Sequence, residues 1–173
     1  AFNACLHPFI RNTVGSMEFG GCFLNKRLNR NNDGGTTRRT TDIFQLATTV
    51  LFQNPVQNFA LAPNNLKDVS PVCMDYMKTI PTTWDETCFI DGYPGKYVVL
   101  ARRHGGTWYV AAINAGKETL KLKLDLEMFA GKTVSLYKDD KKGAPQLVPL
   151  KVKENGKVQL EILPQGGAVL VNK

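Results

Sequence analysis

The spacing of hydrophobic residues changes near residue 85, which divides the chain into two parts with different patterns. In the first part, apolar residues recur at steps of three and four over 42–52, directly after Thr40-Thr41, a possible N-cap pair. This pattern predicts a helix of about three turns. A second helix is predicted to start at Ser70-Pro71, with serine as the cap, and to run to about Ile80.

Two short apolar runs, over residues 5–10 and 56–61, each predict a strand. A polar segment rich in glycine and asparagine, residues 25–35, follows the first run and is predicted to be a loop. The first part of the chain is therefore predicted to fold in the order strand, helix, strand, helix.

The second part contains short strand-like runs that are separated by turn residues such as Gly105-Gly106. Between Thr119 and Leu126, leucines alternate strictly with polar residues, which is typical of a strand with one buried face. Seven or eight such strands in about 85 residues predict an antiparallel β-sandwich. The runs are Lys96–Arg103, Thr107–Ala115, Thr119–Leu126, Thr133–Lys138, Leu147–Lys153, Val158–Leu163 and Ala168–Val171.

Asn155-Gly156 is the strongest hairpin signal in the chain. It lies between two alternating runs, and both central residues of a type I′ turn require a positive φ, which asparagine and glycine tolerate. The sequence therefore predicts a tight hairpin at this point.

The formal charge of +7 does not by itself indicate a nucleic-acid-binding protein. Residues 1–91 carry eight basic and eight acidic side chains, whereas residues 92–173 carry fourteen basic and seven acidic ones. Most of the excess is lysine at alternate strand positions, which favours a solvated sheet face over a polyanion site. The lysines are Lys121, Lys123, Lys151, Lys153 and Lys157.

Membrane insertion and a zinc site are both disfavoured by the sequence. No apolar run approaches the roughly 20 residues of a membrane span, and the N-terminus does not resemble a signal peptide. Because the chain starts without methionine, we expect it to be a piece of a longer protein. The four cysteines lack zinc-site spacing, so disulfides and buried free thiols both remain open.

Acidic pairs and aromatic residues are the remaining candidates for chemistry. Asp85-Glu86 and Asp139-Asp140 are the only adjacent acidic pairs, and we interpret both as structural or solvated. His7 and His104 have no serine or cysteine partner at a recognisable spacing. Aromatic faces stack on sugar rings, but Trp84, Trp108 and Tyr109 are interpreted mainly as core residues, because Trp108 and Tyr109 are adjacent in one predicted strand.

Two sets of segments resemble glycoside hydrolase family 97. Residues 6–19, Leu-His-Pro-Phe-Ile-Arg-Asn-Thr-Val-Gly-Ser-Met-Glu-Phe, resemble a segment late in that family's catalytic barrel. Residues 80–87, 97–103 and 108–110 resemble its C-terminal sandwich. The resemblance implies a mostly β chain, with two strand–helix units from the end of a (β/α)₈ barrel at 1–84 and an antiparallel β-sandwich at 85–173.

The resemblance also implies an activity and a set of partners. Members are exo-acting glycosidases that cleave α-glucosidic or α-galactosidic bonds, and many bind calcium at the catalytic site. The expected partners are the oligosaccharide substrate, the remainder of the barrel and, in a homo-oligomer, a second copy of the chain, with no nucleic acid and no membrane. By the same resemblance the intact enzyme is expected to be periplasmic or secreted.

Four residues are predicted to contact sugar, because polar side chains that follow barrel strands point into the active-site mouth. They are Arg11, Asn12 and Glu18 after the first predicted strand, and Asn58 near the second. By resemblance, the general acid and most calcium ligands lie upstream of residue 1, so no catalytic residue, metal ligand or cofactor is predicted here. Since glycoside hydrolysis needs two carboxyl groups, the chain alone is predicted to be inactive. The alternative function is a noncatalytic carbohydrate-binding or oligomerisation module.

Overall fold

The computed structural model describes residues 1–18, 22–25, 36–61 and 63–172. The strands after residue 85 are β3 (Glu86–Tyr93), β4 (Tyr97–His104), β5 (Thr107–Asn114), β6 (Leu120–Asp125), β7 (Thr133–Asp139), β8 (Pro145–Lys151), β9 (Lys157–Ile162) and β10 (Gly167–Val171). They form two antiparallel sheets, one of six strands in the order β3-β4-β5-β10-β7-β8 and one of two strands, β6-β9.

The six-stranded sheet has a core on each of its faces. One face packs against the β6-β9 sheet, so that Val99 and Val110 share a core with Leu122 and Leu160. The alternation along β6 and β9 explains this packing, because their apolar positions face inward and their lysines face solvent. The eight strands β3 to β10 therefore form the predicted sandwich.

The opposite face of the six-stranded sheet is covered by elements from the first part of the chain. These are β1 (Cys22–Phe23), α2 (Asp42–Leu51), β2 (Phe59–Ala60) and α3 (Pro71–Met77). The short helix α1 (Arg11–Val14) precedes them in the chain and has no buried residue. β1 and β2 pair in parallel, and α2 is the crossover between them. Eight of the ten residues of α2 are buried, and the helix packs on β5 and β10.

Close packing of α2 on the sheet requires a glycine at Gly167. A Cβ atom at this position would lie 2.8 Å from the carbonyl oxygen of Ile43 and 2.8 Å from the Cα atom of Phe44. Because both contacts are with helix backbone, no rotamer change could relieve them. Gly167 therefore sets the distance between β10 and the first turn of α2.

The sequence located most of these elements. All seven downstream runs coincide with strands to within two residues at each end, and α2 begins at Asp42 after the N-cap Thr41, as predicted. The second predicted helix is α3, which ends at Met77 rather than near Ile80. Strand β3 was not predicted, because a bulge between Phe89 and Asp91 interrupts its alternation.

The predicted hairpin at Asn155-Gly156 is wrong. The strands on its two sides lie in different sheets, since β8 pairs with β7 and β9 pairs with β6. Gly156 has a φ of 71°, whereas Asn155 is not in the positive-φ region, so the turn is not type I′. A Cβ atom at Gly156 would lie 3.1 Å from the backbone of Glu127. A glycine therefore fits here because the backbone of Glu127 leaves little room for a side chain.

The two strands predicted upstream are also corrected. Cys5 ends a 3₁₀ helix at Asn3–Cys5 and residues 6–10 form turns, with Cys5 and Phe9 packed against the core instead of pairing in a sheet. The run 56–61 is a strand only at Phe59–Ala60. Apart from Asn25, the loop predicted over 25–35 lies outside the described residues.

Candidate functional site

The four residues predicted to contact sugar lie before the two parallel strands rather than after them. Arg11 and Asn12 are in α1, Glu18 precedes β1, and Asn58 directly precedes β2. The active-site mouth of a (β/α)₈ barrel forms at the carboxyl ends of its strands. The strand predicted before Arg11, Asn12 and Glu18 does not form, whereas Asn58 lies next to β2 as predicted. For all four residues, contact with sugar stays a prediction.

The structure brings only two of the four together. Glu18 and Asn58 are exposed and line one shallow groove with Met17, Pro55 and Val56. Arg11 is exposed elsewhere, and Asn12 donates a long hydrogen bond of 3.5 Å to the carbonyl oxygen of Gly15. One carboxylate and one amide in an open groove can bind hydroxyl groups but do not form a hydrolytic pair.

The carboxyl end of β1 leads to the N-terminus of α2, where charged groups are concentrated. The Arg38 guanidinium pairs with the Asp42 carboxylate and also donates to the backbone carbonyl of Asn25, 3.2 Å away. Thr41 caps the helix by accepting a 3.1 Å hydrogen bond from the Phe44 amide. A cleft of about 640 Å³ separates this end of α2 from the turn between β7 and β8.

Asp139, the last residue of β7, binds the same end of α2. Its carboxylate accepts hydrogen bonds from the Thr41 hydroxyl, 2.8 Å away, and from the Gly167 amide, 3.2 Å away. Burial raises the pKa of this carboxyl group to about 6, although these hydrogen bonds act in the opposite direction. Asp139 therefore joins the sandwich to the helix and titrates near neutral pH.

The C-terminus of α2 is held by a buried arginine. Arg102 of β4 is 3% exposed and donates to the carbonyl oxygens of Leu51 and Phe52, each 3.3 Å away. Its guanidinium lies over the ring of Trp84, 5.9 Å from the centroid. These contacts satisfy carbonyls that a helix end leaves without partners.

A cavity of about 200 Å³ adjoins Arg102 at the junction of the two parts, and we call it the junction cavity. Its nitrogen-bearing lining residues include Asn54, Trp84 and Arg102. The other lining residues are Ser16, Gln53, Pro55, Thr82, Thr83 and Thr87. The lining is thus mostly polar and contains no acidic residue.

Arg102 is not among the residues predicted from the sequence to carry a role. The signal was the adjacent pair Arg102-Arg103 within a predicted strand, because successive side chains of a strand point to opposite faces. One of the two arginines had to face the interior. Asp139 was noticed as half of an acidic pair, but its burial depends on the position of α2, which the local sequence does not reveal.

The two acidic pairs have structural partners, as interpreted from the sequence. Asp85 accepts from the Gly105 amide at 2.7 Å, and Glu86 pairs with the Nε of Arg103 at 3.2 Å. Asp140 accepts hydrogen bonds from two amides within its own turn. Each of these carboxylates holds a turn or a strand end, so neither pair forms a glycosidase site.

The aromatic residues do not form a sugar-stacking platform. Tyr109 is buried and meets Trp84 edge to face, with ring centroids 5.3 Å apart. Trp108 lies on the opposite face of the strand, where it packs on the sandwich core and beneath Arg103. These contacts agree with the interpretation of the three rings mainly as packing residues.

The thiols are free in the structure. Burial raises the pKa of Cys5, Cys22 and Cys73 well above the usual value for a thiol, so they stay protonated and unreactive at neutral pH. Within the described ranges, no three histidine, cysteine or acidic side chains are grouped as metal ligands would be. None of the described helices has the length and apolar character needed to cross a bilayer.

Comparison with known proteins gives a family match over the sandwich. Residues 83–172 match the family model described as the glycosyl-hydrolase 97 C-terminal, oligomerisation domain. A retaining α-galactosidase of Bacteroides thetaiotaomicron is 29% identical over 178 residues, covering 94% of this chain and 26% of the relative. A probable retaining α-galactosidase of Streptomyces bingchenggensis is 34% identical over 111 residues, covering 63% of this chain and 16% of the relative.

Solved structures extend the similarity to nearly the whole chain. The crystal structure of a β-arabinopyranosidase is 84% identical and has a TM-score of 0.97, covering 99% of this chain and 27% of that protein. A family 97 enzyme of a Pseudoalteromonas species in complex with acarbose has the same fold, with a TM-score of 0.79 at 23% identity, over 98% of this chain and 28% of that one. The chain thus spans about a quarter of these enzymes, and it belongs to glycoside hydrolase family 97.

Proposed function

We propose that this chain is the C-terminal part of an exo-acting glycosidase that cleaves α-galactosides or the corresponding arabinopyranosides. The observation that carries the proposal is the 84% identity to the β-arabinopyranosidase over 99% of the chain. The retaining α-galactosidase of Bacteroides thetaiotaomicron supports the same choice, since its similarity covers 94% of the chain. This narrows the sequence-based expectation, which included α-glucosides.

The two substrates of these relatives are chemically related. An L-arabinopyranose ring has the ring stereochemistry of D-galactopyranose and lacks only the exocyclic hydroxymethyl group. The β-L-arabinopyranoside therefore presents its glycosidic bond in the same orientation as an α-D-galactoside. A site built for one ring accepts the other if the space around the hydroxymethyl group permits. A difference of this size between two substrates changes kcat/KM by only about 10- to 200-fold.

Residues 1–84 are proposed to be the last strand–helix units of the catalytic barrel. The support is the parallel pair β1-β2 with α2 as its crossover, the connection that such barrels repeat. The sandwich covers the outer face of α2 and holds both of its ends, through Asp139 and Arg102. Its proposed role is to support this side of the barrel, with Trp84 at the seam.

The sandwich is also proposed to take part in subunit association. The family model that matches residues 83–172 represents a C-terminal region of family 97 enzymes with a role in oligomerisation. β3 is an edge strand of the six-stranded sheet, and its Phe89 and Tyr93 are 59% and 58% exposed. Exposed apolar edge strands are usually covered in native assemblies, so β3 is the favoured contact for a second copy.

Calcium binding and a periplasmic or secreted location are proposed for the intact enzyme on the family resemblance alone. The residues described here offer no group of carboxylates suited to calcium, so its ligands would come from the rest of the enzyme. Loss of activity with a chelator, reversed by added calcium, would support the metal proposal.

The substrate proposal is tested with the full-length enzyme and 4-nitrophenyl glycosides. We expect kcat/KM for the α-galactoside and the β-L-arabinopyranoside to exceed that for the α-glucoside by about 10- to 100-fold. The reason is that an inverted ring hydroxyl leaves a buried partner without its hydrogen bond. Proton NMR should show retention of the anomeric configuration. Preference for the α-glucoside would contradict the proposal, and this chain alone should show no turnover.

The alternative of a carbohydrate-binding module has less support, because Trp84 and Tyr109 are packed against each other. Saturable binding of galactosides to this chain, lost on Trp108→Ala, would favour it.

A further inference from the structure

The sequence predicts a solvated sheet face for five lysines of the sandwich, but the structure places four of them around one groove. The groove has a volume of about 540 Å³ and is lined by residues of β6, β8 and β9 and of the turn between β8 and β9. The fifth lysine, Lys121, lies outside this lining and pairs with Glu161 at 3.6 Å. The four lysines of the groove are Lys123, Lys151, Lys153 and Lys157.

The positive charge of this groove is not compensated within the described part of the chain. None of its four lysines is within ion-pair distance of a carboxylate there. Asp125 is the one acidic residue of the lining, so four positive charges stand against one negative charge. All five of these side chains are exposed. Because a cleft lined by one sign of charge concentrates ligands of the opposite sign, the groove favours an anion.

The other lining residues suit a sugar polymer. Asn155 and Gln159 supply exposed side-chain amides, which both donate and accept hydrogen bonds and therefore match hydroxyl groups. Leu124, Leu150 and Val158 give the lining an aliphatic part, which can contact the C–H groups of a sugar ring. The groove thus combines partners for carboxylates, hydroxyl groups and C–H groups.

Two other classes of polyanion fit the groove less well. Single-stranded nucleic acid is bound by stacking its bases on aromatic side chains, with help from arginine, and the lining has neither residue type. An acidic peptide usually binds a sheet by adding a strand to a free edge. The edge strand β8 contains Pro145 and Pro149, which have no amide hydrogen to donate to such a strand.

We propose that the groove of Lys123, Lys151, Lys153 and Lys157 binds an anionic polysaccharide, a polymer whose sugar units carry carboxylates. Lysine suits this ligand because its ammonium group is a point charge on a flexible stem, which follows carboxylates at different positions along a polymer. The inference goes beyond the proposed glycosidase activity, since it concerns holding the enzyme on an acidic polymer. It does not depend on which glycosidic bond the enzyme cleaves.

The first test titrates the full-length enzyme with α-1,4-linked tetragalacturonate by isothermal calorimetry at low ionic strength. The fully methyl-esterified tetramer is the matched control ligand, because it has the same sugar backbone without the charges. We expect a dissociation constant on the order of 1 mM for the acid and no measurable binding of the ester. Sodium chloride at about 300 mM should weaken binding of the acid at least threefold, because salt screens exposed charges.

The second test compares two double variants that have the same net charge. Lys151→Gln with Lys157→Gln removes two charges from the groove, whereas Lys117→Gln with Lys121→Gln removes two exposed charges outside it. We expect tetragalacturonate to bind about fivefold more weakly to the first variant, since each exposed ion pair contributes modestly. Binding to the second variant should stay within about twofold of the original. Thermal melting checks that both variants are folded.

Four results would overturn the proposal. Absence of binding by the acid, or equal binding of the ester, would show that the groove does not recognise carboxylates on a sugar chain. Equal weakening in both double variants would show that binding follows net charge alone. Tighter binding of tetraglutamate or of a thymidylate tetramer would assign the groove to a peptide or a nucleic acid instead. None of these results changes the test of the glycosidase activity, which is measured separately with nitrophenyl glycosides.

Discussion

At the scale of single residues, Asp139 makes the stability of the chain depend on pH. Its folded-state pKa of about 6 lies above the usual value for an aspartate, mainly because of burial. Between about pH 4 and pH 6 the folded chain therefore binds more protons than the unfolded chain, and this group's contribution to stability falls as the pH rises. At pH 7.5, above both pKa values, the buried charge costs on the order of 3 kcal/mol of folding free energy.

Asp139→Asn should remove this pH dependence. An amide keeps an oxygen to accept from Thr41 and Gly167, so we expect the variant to be nearly as stable as the original at pH 4 and more stable at pH 7.5. Urea unfolding at the two pH values measures the difference. Asp140→Asn is the matched control, because hydrogen bonds to backbone amides hold the pKa of Asp140 below its usual value. Equal pH dependence in all three proteins would contradict the assignment.

The sequence predicts which residues are exposed on a regular strand but not which polar residues are buried by a distant helix. Lysines on alternate positions of β6 were correctly assigned to solvent, because period-two alternation fixes the faces of a strand. The burial of Arg102 and Asp139 depends on α2 packing over the sheet, a contact between residues far apart in the chain. Three of the four predicted sugar contacts, Arg11, Asn12 and Glu18, were chosen because they follow a predicted strand at 5–10 that does not form, so their contact with sugar stays a prediction without that support.

At the scale of secondary-structure elements, α2 depends on the cap at Thr41. The Thr41 hydroxyl accepts from the Phe44 amide and donates to Asp139, so it satisfies a helix end and joins it to the sandwich. We expect Thr41→Ala to lower the free energy of unfolding by about 1–2 kcal/mol. Thr41→Ser should recover most of the loss, because it keeps the hydroxyl.

Helix α3 provides the matched control for this prediction. Ser70 stands at its N-cap position but makes no capping hydrogen bond with its side chain. Ser70→Ala should therefore change the unfolding free energy by less than about 0.5 kcal/mol. Urea denaturation at pH 7 compares the two alanine variants directly. Equal losses in both would mean that the Thr41 hydrogen bonds do not stabilise the fold.

The elements found from sequence share clear local signals, and those missed do not. β6 and β9 alternate strictly, and α2 combines helical spacing with a cap, so each is specified by its own residues. β3 contains a bulge, and the turn at Asn155-Gly156 joins two sheets, so both depend on neighbours from elsewhere in the chain. Asparagine–glycine reports a tight turn, but which strands pair is decided by the packing of the core.

At the scale of the whole molecule, the first part of the chain and the sandwich share a core. Ile43, Leu46 and Val50 of α2 pack in one cluster with Val98 and Ile113 of the six-stranded sheet. Disrupting α2 therefore exposes an apolar face of the sheet as well.

Substitutions at exposed apolar positions on the two edge strands of the six-stranded sheet test the proposed role of the sandwich in subunit association. Phe89 on the edge strand β3 is 59% exposed, and Leu147 on the opposite edge strand β8 is 46% exposed. If β3 contacts a second copy, Phe89→Glu places a charge in an apolar interface and should weaken dimerisation of the full-length enzyme at least tenfold. Leu147→Glu makes the matched change at the other edge and should leave dimerisation unchanged.

Sedimentation velocity over a range of concentrations measures the dimerisation of both variants, with thermal melting as the check that each variant is folded. Dissociation by Leu147→Glu but not by Phe89→Glu would move the interface to β8, and a monomeric enzyme at all concentrations would reject the proposed association.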